Sequence, residues 1–314
     1  MKNLVAIIAG DPNSINSELI AKAWNRRNNF KKLNIFVIGN YSLLKSQLKK
    51  VKINLNLEKI NSIEGKKFRK KLLIYDVKVK SKSVYLKNCF NLGVKLAKQK
   101  KILGFINCPI NKKEMFGNNS YGITEFLAKK EGNLGKEVML IYNEKLSVSP
   151  ITTHIKLKKV SRDISKRKII NKLITINKFY SNKLKVKAKI GVLGLNPHNN
   201  ELKNNSEEKK YIIPAIKKLK KLKMSIDGPI SPDTAFLESN RKKFNVLIGM
   251  YHDQVLSPFK AIFGFNAINI TLGIPYIRIS PDHGVGRDII NKNLANPKSL
   301  IEAIKFFNNR NVKT

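Results

Sequence analysis

The four histidines of this chain, His154, His198, His252 and His283, each close an apolar or strand-like run: SVSPITTH, GVLGLNPH, LIGMYH and PYIRISPDH. A polar, metal-capable ring at the end of such a run sits at the mouth of a sheet, where α/β proteins bind ligands. Taken alone, each ring reads more often as a hydrogen-bonded structural residue than as a ligand. Together they point the other way, because a chain so poor in histidine has placed none of them on a helix surface or a tail. Three neutral imidazoles from separate strand ends would offer three nitrogens and open coordination positions, the arrangement a catalytic metal needs. Such a metal would act as a Lewis acid on a substrate oxygen. Asp233, in GPISPDTAF, and Asp253, beside His252, are carboxylates near the same expected edge that could orient an imidazole or move a proton. Asp233 also reads as a helix cap after Pro232.

A second set suggests an anion site. Lys260, Asn269 and Arg278 are spaced nine residues apart and follow His252, and Thr124 lies in YGITEF ahead of a helical pattern. Ammonium, amide, guanidinium and hydroxyl donors suit a phosphate monoester. Lys260 alone, among so many lysines, carries little. Arg278 carries more, since it stands in the otherwise apolar IPYIRIS, where an uncompensated charge is costly.

The elements that must position these residues are read from periodicity. Short apolar runs, LVAIIAG, NIFVIGN, ILGFINCP, VMLIYN, KIGVLGLNP, FNVLIGMY and AINITLGIPYIRIS, alternate with helical patterns such as SINSELIAKAWNRR and SEEKKYIIPAIKKLKKL. Alternation of buried, β-branched strands with helices predicts an α/β protein with a largely parallel sheet, whose loops gather at the carboxyl ends of the strands. At 314 residues the chain predicts two domains or one large α/β unit. There is no internal repeat and no low-complexity linker.

Composition narrows the function classes. The formal net charge is +41, and lysines outnumber arginines 53 to 9. This invites a nucleic-acid reading, with GKKFRKK and IKKLKKLKM as the densest runs. The second has apolar residues at helical spacing and reads as an amphipathic helix with a solvated side. Lysine is spread along the whole chain and no recognition module is visible, so nucleic-acid binding is the minor reading. A basic field also draws in small anionic substrates. Two cysteines, Cys89 and Cys108, give neither a disulfide framework nor a CxxC motif, which suits a reducing cytoplasm. The apolar run in MKNLVAIIAG is too short and wrongly flanked for a signal peptide, and no stretch approaches the roughly 18 apolar residues of a membrane span. The expectation is a soluble cytoplasmic protein.

The motifs GDPNSINSEL, INCPINKK, GITEF, TTHIKL, GLNPH, GPISPDTAF, YHDQ, NITLGIPYIR and DHGVGRDI occur in an order and spacing that resemble the 4-hydroxythreonine-4-phosphate dehydrogenase family, NAD-dependent enzymes of vitamin B6 (pyridoxal phosphate) synthesis. The resemblance spans nearly the whole chain. It implies two α/β domains like those of isocitrate and isopropylmalate dehydrogenases, roughly 1–120 with 285–314 and 121–284, the second carrying the metal site and dimer interface. It implies a homodimer whose active site, in the cleft and at the dimer interface, draws on both subunits. His154, His198 and His252 would hold one divalent ion (zinc, magnesium, manganese or cobalt). Thr124, Lys260, Asn269 and Arg278 would hold the substrate, with Asp233 and His252 in catalytic roles. NAD or NADP would bind without a GxGxxG fingerprint, since HGVGRDIINKNLANP resembles the dinucleotide loop of isopropylmalate dehydrogenase; His283, Gly284 and Asp288 fall on that side. The implied reaction oxidises 4-phosphooxy-L-threonine at C3 and releases carbon dioxide to give 3-amino-2-oxopropyl phosphate.

The chain departs from the family's pattern at several points. GHTEF is GITEF here, so Ile123 takes the place of a substrate-binding histidine. The glycine-rich loop after GLNPH is NNELKNNSEE, with Glu201 kept at its place. GDPAGIGPE has become GDPNSINSE, and HGTA has become HGVG. Each lost glycine limits how closely backbone can approach a ligand. The rival readings are a sister dehydrogenase acting on 4-phospho-D-threonate or 4-phospho-D-erythronate, a metal-dependent hydrolase, and a basic nucleic-acid-binding protein with a dead active site.

Overall fold

The computed structural model describes residues 3–68, 70–117 and 122–308. Arg69 of the GKKFRKK run and the expected domain boundary at 120/121 lie outside the described residues. Among those described, the strands are β1 (Leu4–Ile8), β2 (Asn34–Gly39), β3 (Leu57–Ile60), β4 (Leu72–Asp76), β5 (Gly104–Asn107), β6 (Val138–Tyr142), β7 (Ser147–Pro150), β8 (Ile190–Leu193), β9 (Ile226–Ile230), β10 (Val246–Gly249), β11 (Ile268–Leu272) and β12 (Ile277–Pro281). The chain divides into two compact units, one running to Leu127 and resuming at Ile274, the other Ala128–Gly273.

In the first unit the strands lie in the order β3-β4-β2-β1-β5-β12 and every pairing is parallel. β1 is buried along its whole length, as a continuous LVAII run between helical layers requires. The helix Lys82–Lys98 shows how sequence makes the cover. Ser81 caps it by accepting the Val84 N–H at 3.3 Å, and Tyr85, Cys89, Phe90, Gly93, Val94 and Ala97 recur on one buried face. Phe90 stacks edge-on against Phe105 of β5, and truncating such a ring to alanine costs about 3–5 kcal/mol. From β1 the chain passes to β2 on one side, while β5 lies on the other. That reversal opens a crevice outside the carboxyl ends of β1 and β5, the place where open α/β sheets bind ligands.

In the second unit the order is β11-β6-β7-β10-β8-β9. β6 runs antiparallel to both neighbours, whereas β7, β10, β8 and β9 run parallel. Leu193, Leu247, Val148, Val255 and Phe259 form its core. The long apolar run AINITLGIPYIRIS divides into β11 and β12, because Gly273 takes a φ of 84° and turns the chain. A Cβ there would lie 2.6 Å from the Lys136 carbonyl, so the turn needs glycine. Among the described residues, no helix is long and apolar enough to cross a membrane.

Candidate active site

The parallel run β7-β10-β8-β9 presents four carboxyl ends at one edge, and each delivers a candidate side chain within a few residues. His154 follows β7, His252 follows β10, His198 follows β8 and Asp233 follows β9. Three short hydrogen bonds lock these loops together. The Thr152 hydroxyl donates to the Met250 carbonyl at 2.8 Å, while Gln254 accepts the Met250 N–H at 2.6 Å and donates to the Gly194 carbonyl at 2.7 Å. Gln254 thereby ties the loop of His252 to the loop of His198.

The His154 and His252 rings stand 5.9 Å apart between centroids. His252 Nδ1 lies 3.2 Å from Asp253 Oδ1. In the tautomer that donates Nδ1–H to this carboxylate, Nε2 carries the available lone pair. His198 stands with Asp233, whose carboxyl is held below the ordinary range by the Ser231 hydroxyl, donating at 2.7 Å, and by His198 itself. One chain thus brings the four together as two pairs, and among the described residues no three His, Cys, Asp or Glu side chains converge closely enough to hold a metal. The donor chemistry of the pairs, imidazole nitrogens with carboxylates behind them, fits a divalent ion with positions left open.

The loop carrying His198 has an unusual backbone. His198, Asn199, Glu201 and Leu202 all have φ between 45° and 57°, where a non-glycine residue costs about 1–2 kcal/mol each. Asn199 donates from Nδ2 to the Pro229 carbonyl at 3.2 Å and packs its Oδ1 against Gly194, where a Cβ would lie 2.0 Å away. Before the turn, the buried carboxylate of Glu208 accepts the backbone N–H groups of Leu195 at 2.8 Å and Asn196 at 2.9 Å, and the Asn196 side-chain amide at 3.1 Å. Burial would raise the Glu208 carboxyl, yet these donors hold it below its ordinary value.

On β11, Asn269 has its Oδ1 buried without a hydrogen-bond partner, and Lys260 is exposed on the helix His252–Phe263. An orphaned buried acceptor of this kind is fitted to receive a donor from a ligand.

In the first unit, Arg278 is buried on β12 and donates from Nε to Asn107 Oδ1 of β5 at 2.6 Å. Burial pulls its guanidinium down to about 10, against the opposing pull of Glu125, so it stays charged at neutral pH. Thr124 and Glu125 lie on the helix Ile123–Lys130. Ile123, by contrast, turns into the core with Met115, Leu127, Phe90 and Phe105. Beyond the carboxyl ends of β1 and β5, Asp11 accepts the Asn111 N–H at 3.0 Å and Asn16 donates to the Pro109 carbonyl at 2.8 Å. A Cβ on Gly10 would lie 2.6 Å from that same carbonyl.

The segment 282–297 is pinned along its length. The Asp282 N–H donates to Ser299 at 2.8 Å, Ile15 N–H to the Val285 carbonyl at 3.1 Å, and Arg287 to Glu114 at 2.6 Å. Lys22 donates to the carbonyls of Asn293 and Ala295, while buried Glu18 accepts from both Lys22 and the Ala295 N–H at 2.7 Å. His283 donates from Nδ1 to the Gly284 carbonyl at 3.0 Å in one tautomer, and its Nε2 is out of solvent with no partner. That bare nitrogen fits a ligand donor. Gly284 and Asp288 are exposed.

Sequence reading missed Asn107, Glu208, Gln254 and the Glu18–Lys22 pair. Asn107, Gln254 and Glu18 lay inside motifs read for other members. Glu208 lay where the loop NNELKNNSEE meets the helical pattern SEEKKYIIPAIKKLKKL, and nothing local marks a glutamate that bonds backwards across a loop.

A fold built of these two units is that of the isocitrate dehydrogenase-like proteins: the isocitrate dehydrogenase of Methylococcus capsulatus aligns over 96% of this chain and 84% of its own, with a TM-score of 0.50 at 12% identity. The family model for the pyridoxal phosphate biosynthetic protein PdxA matches residues 31–307, and the chain belongs to that family. A 4-hydroxythreonine-4-phosphate dehydrogenase of Sulfurihydrogenibium sp. (strain YO3AOP1) is 40% identical over 96% of both chains. A relative in Oceanobacillus iheyensis, provisionally named a D-threonate 4-phosphate dehydrogenase, is 30% identical over 96% of both. The crystal structure of a 4-hydroxythreonine-4-phosphate dehydrogenase from Burkholderia phymatum aligns over 99% of both chains, with a TM-score of 0.82 and 26% identity. The chain is an oxidoreductase of this kind.

Proposed function

We propose that this protein oxidises the C3 hydroxyl of 4-phosphooxy-L-threonine in pyridoxal phosphate synthesis, in the cytoplasm, as a homodimer. The observation that carries the reading is the delivery of His154, His252 and His198 to one edge of the second unit by adjacent parallel strands. His154, His198 and His252 would hold a divalent ion, a second subunit making up what one chain leaves as separate pairs. Exposed apolar side chains around that edge, Ile155, Leu157 and Leu237, suit such a covering. When bound, the ion would supply Lewis acidity toward the substrate hydroxyl, and NAD or NADP would accept the hydride.

The chain's own residues do the rest. Arg278, held by Asn107, would meet the phosphate with its guanidinium charge, with Thr124, Lys260 and Asn269 as further partners. Fixing this non-reacting group orients C3. Asp233 is ionised at neutral pH, so it can accept the hydroxyl proton. Its low affinity for protons weakens it as a base. On the cofactor side, His283, Gly284 and Asp288 stand on the pinned 282–297 segment, and His283 Nε2 accepts a hydrogen bond from the dinucleotide. Dispersed lysines supply a field that raises the local concentration of a phosphorylated substrate.

The test is NADH formation from 4-phosphooxy-L-threonine before and after chelation. Turnover that stops on chelation and returns with added divalent ion is expected; turnover indifferent to chelation would end the metal reading. A second substrate reading is favoured by Ile123, whose side chain belongs to the core and offers no donor. On that reading 4-phospho-D-threonate or 4-phospho-D-erythronate gives the higher kcat/KM in the same assay.

A further inference from the structure

We propose that Glu208 is the positioning residue for His198: its carboxylate gathers the two amides that precede the histidine's left-handed turn and so sets where the imidazole enters the metal site. This rests on the reading of that edge as a metal site.

The geometry is specific. One oxygen, Glu208 Oε1, accepts both the Leu195 and the Asn196 N–H, and Oε2 accepts the Asn196 side chain. Two consecutive amides aimed at one buried anion fix the backbone directly beyond β8. Glu207 holds the same Asn196 amide at 2.9 Å from the other side, and the Asn199 N–H then donates to the Asn196 carbonyl at 3.1 Å. His198 lies inside that closed turn, at a φ of 48° that non-glycine residues rarely adopt. No glycine in the segment HNNELKNNSEE relaxes the requirement, so an outside hold is needed. Glu208 can serve only as an acceptor toward three N–H donors while it is ionised. An amide in its place would turn an NH2 toward one of them.

The test uses the full-length protein and Co²⁺ as probe, followed by titration calorimetry and by the visible absorption of the bound ion. Glu208→Gln is expected to weaken Co²⁺ binding about 10- to 100-fold while the folded protein keeps its circular dichroism. Glu201→Gln is the control. It removes the same charge from the same turn, but the Glu201 carboxylate lies in solvent, 3.8 Å from Lys203, and its affinity should stay within about twofold of wild type. Unchanged binding in folded Glu208→Gln overturns the proposal, and so does equal weakening in both variants, which would mark a charge effect. If Glu208→Gln does not fold, Glu208→Asp takes its place: it keeps the charge but falls one methylene short, and wild-type affinity there overturns the proposal too. A wild-type protein that binds no Co²⁺ would instead bring down the metal reading itself.

Discussion

Arg278 and His252 are both expected at the reacting end of the molecule, yet the fold holds them in opposite ways. Arg278 is buried within the first unit's strands and bonded to Asn107 at 2.6 Å. His252 begins a helix at an open edge of the second unit, with its side chain 31% exposed and a carboxylate even more exposed beside it. A buried cation is part of the folded structure whether or not a ligand arrives, because removing it strands its partners in a low dielectric. An exposed imidazole contributes little to folding and stays available for ligation. Stability and binding should therefore separate cleanly between the two regions.

The largest expected effect follows from that contrast. Arg278→Ala should lose about 3 kcal/mol or more of unfolding free energy, read from urea denaturation, along with activity. His252→Ala should stay within about 0.5 kcal/mol of wild type while losing the divalent ion and behaving like the chelated enzyme. Equal destabilisation by the two would break the comparison. A smaller effect tests where the first unit's core ends. Ile123→His restores the family's residue type at a position that is now 6% exposed and packed against Met115, Leu127 and Phe90. Burying the ring there should cost about 1–3 kcal/mol. A rise in kcat/KM for 4-phosphooxy-L-threonine without loss of stability would show instead that this position faces substrate.

Much of this was legible in the chain, for reasons particular residues make plain. The strands that carry His198 and His252 are short, rich in Ile, Val and Leu and bounded by polar loops, so they could be read as strands from periodicity, whereas β7, SVSP, which carries His154, stood out only as a strand-like run before the ring. Their neighbour relations could not be read. That β10 lies between β7 and β8 depends on long-range pairing that no local pattern encodes, and β3, LEKI, has too mixed a pattern to stand out as a strand. Arg278 announced itself as a charge within an apolar run, but Asn107, its partner, looked like an ordinary strand end. The left-handed turn at His198 was invisible, since Asn, Glu and Leu carry no signature for positive φ comparable to glycine's. Glu208, which holds that turn, sits among lysines in a helical stretch and is distinguished only by where its carboxylate reaches.

The smallest expected effect lies in the first unit, at His283. Its ring is partly buried, and Nε2 is out of solvent without a partner. Burial lowers its proton affinity, against the opposing influence of the Gly284 carbonyl and Asp282. The folded protein therefore prefers the neutral ring, whereas the unfolded chain takes up a proton near the ordinary histidine value of about 6.5. Below that pH the unfolded state binds more protons than the folded one, so His283 makes stability fall as pH falls, until the folded ring protonates as well. His283→Gln lacks this dependence. The stability of wild type relative to His283→Gln should be greater at about pH 7.5 than at about pH 5.5, measured as the difference between their denaturation midpoints at each pH. A difference that stays constant, or grows as pH falls, would mean that the ring is solvated or is stabilised as its cation. A bound dinucleotide that donates to Nε2 would steepen the dependence, because that hydrogen bond requires the neutral ring.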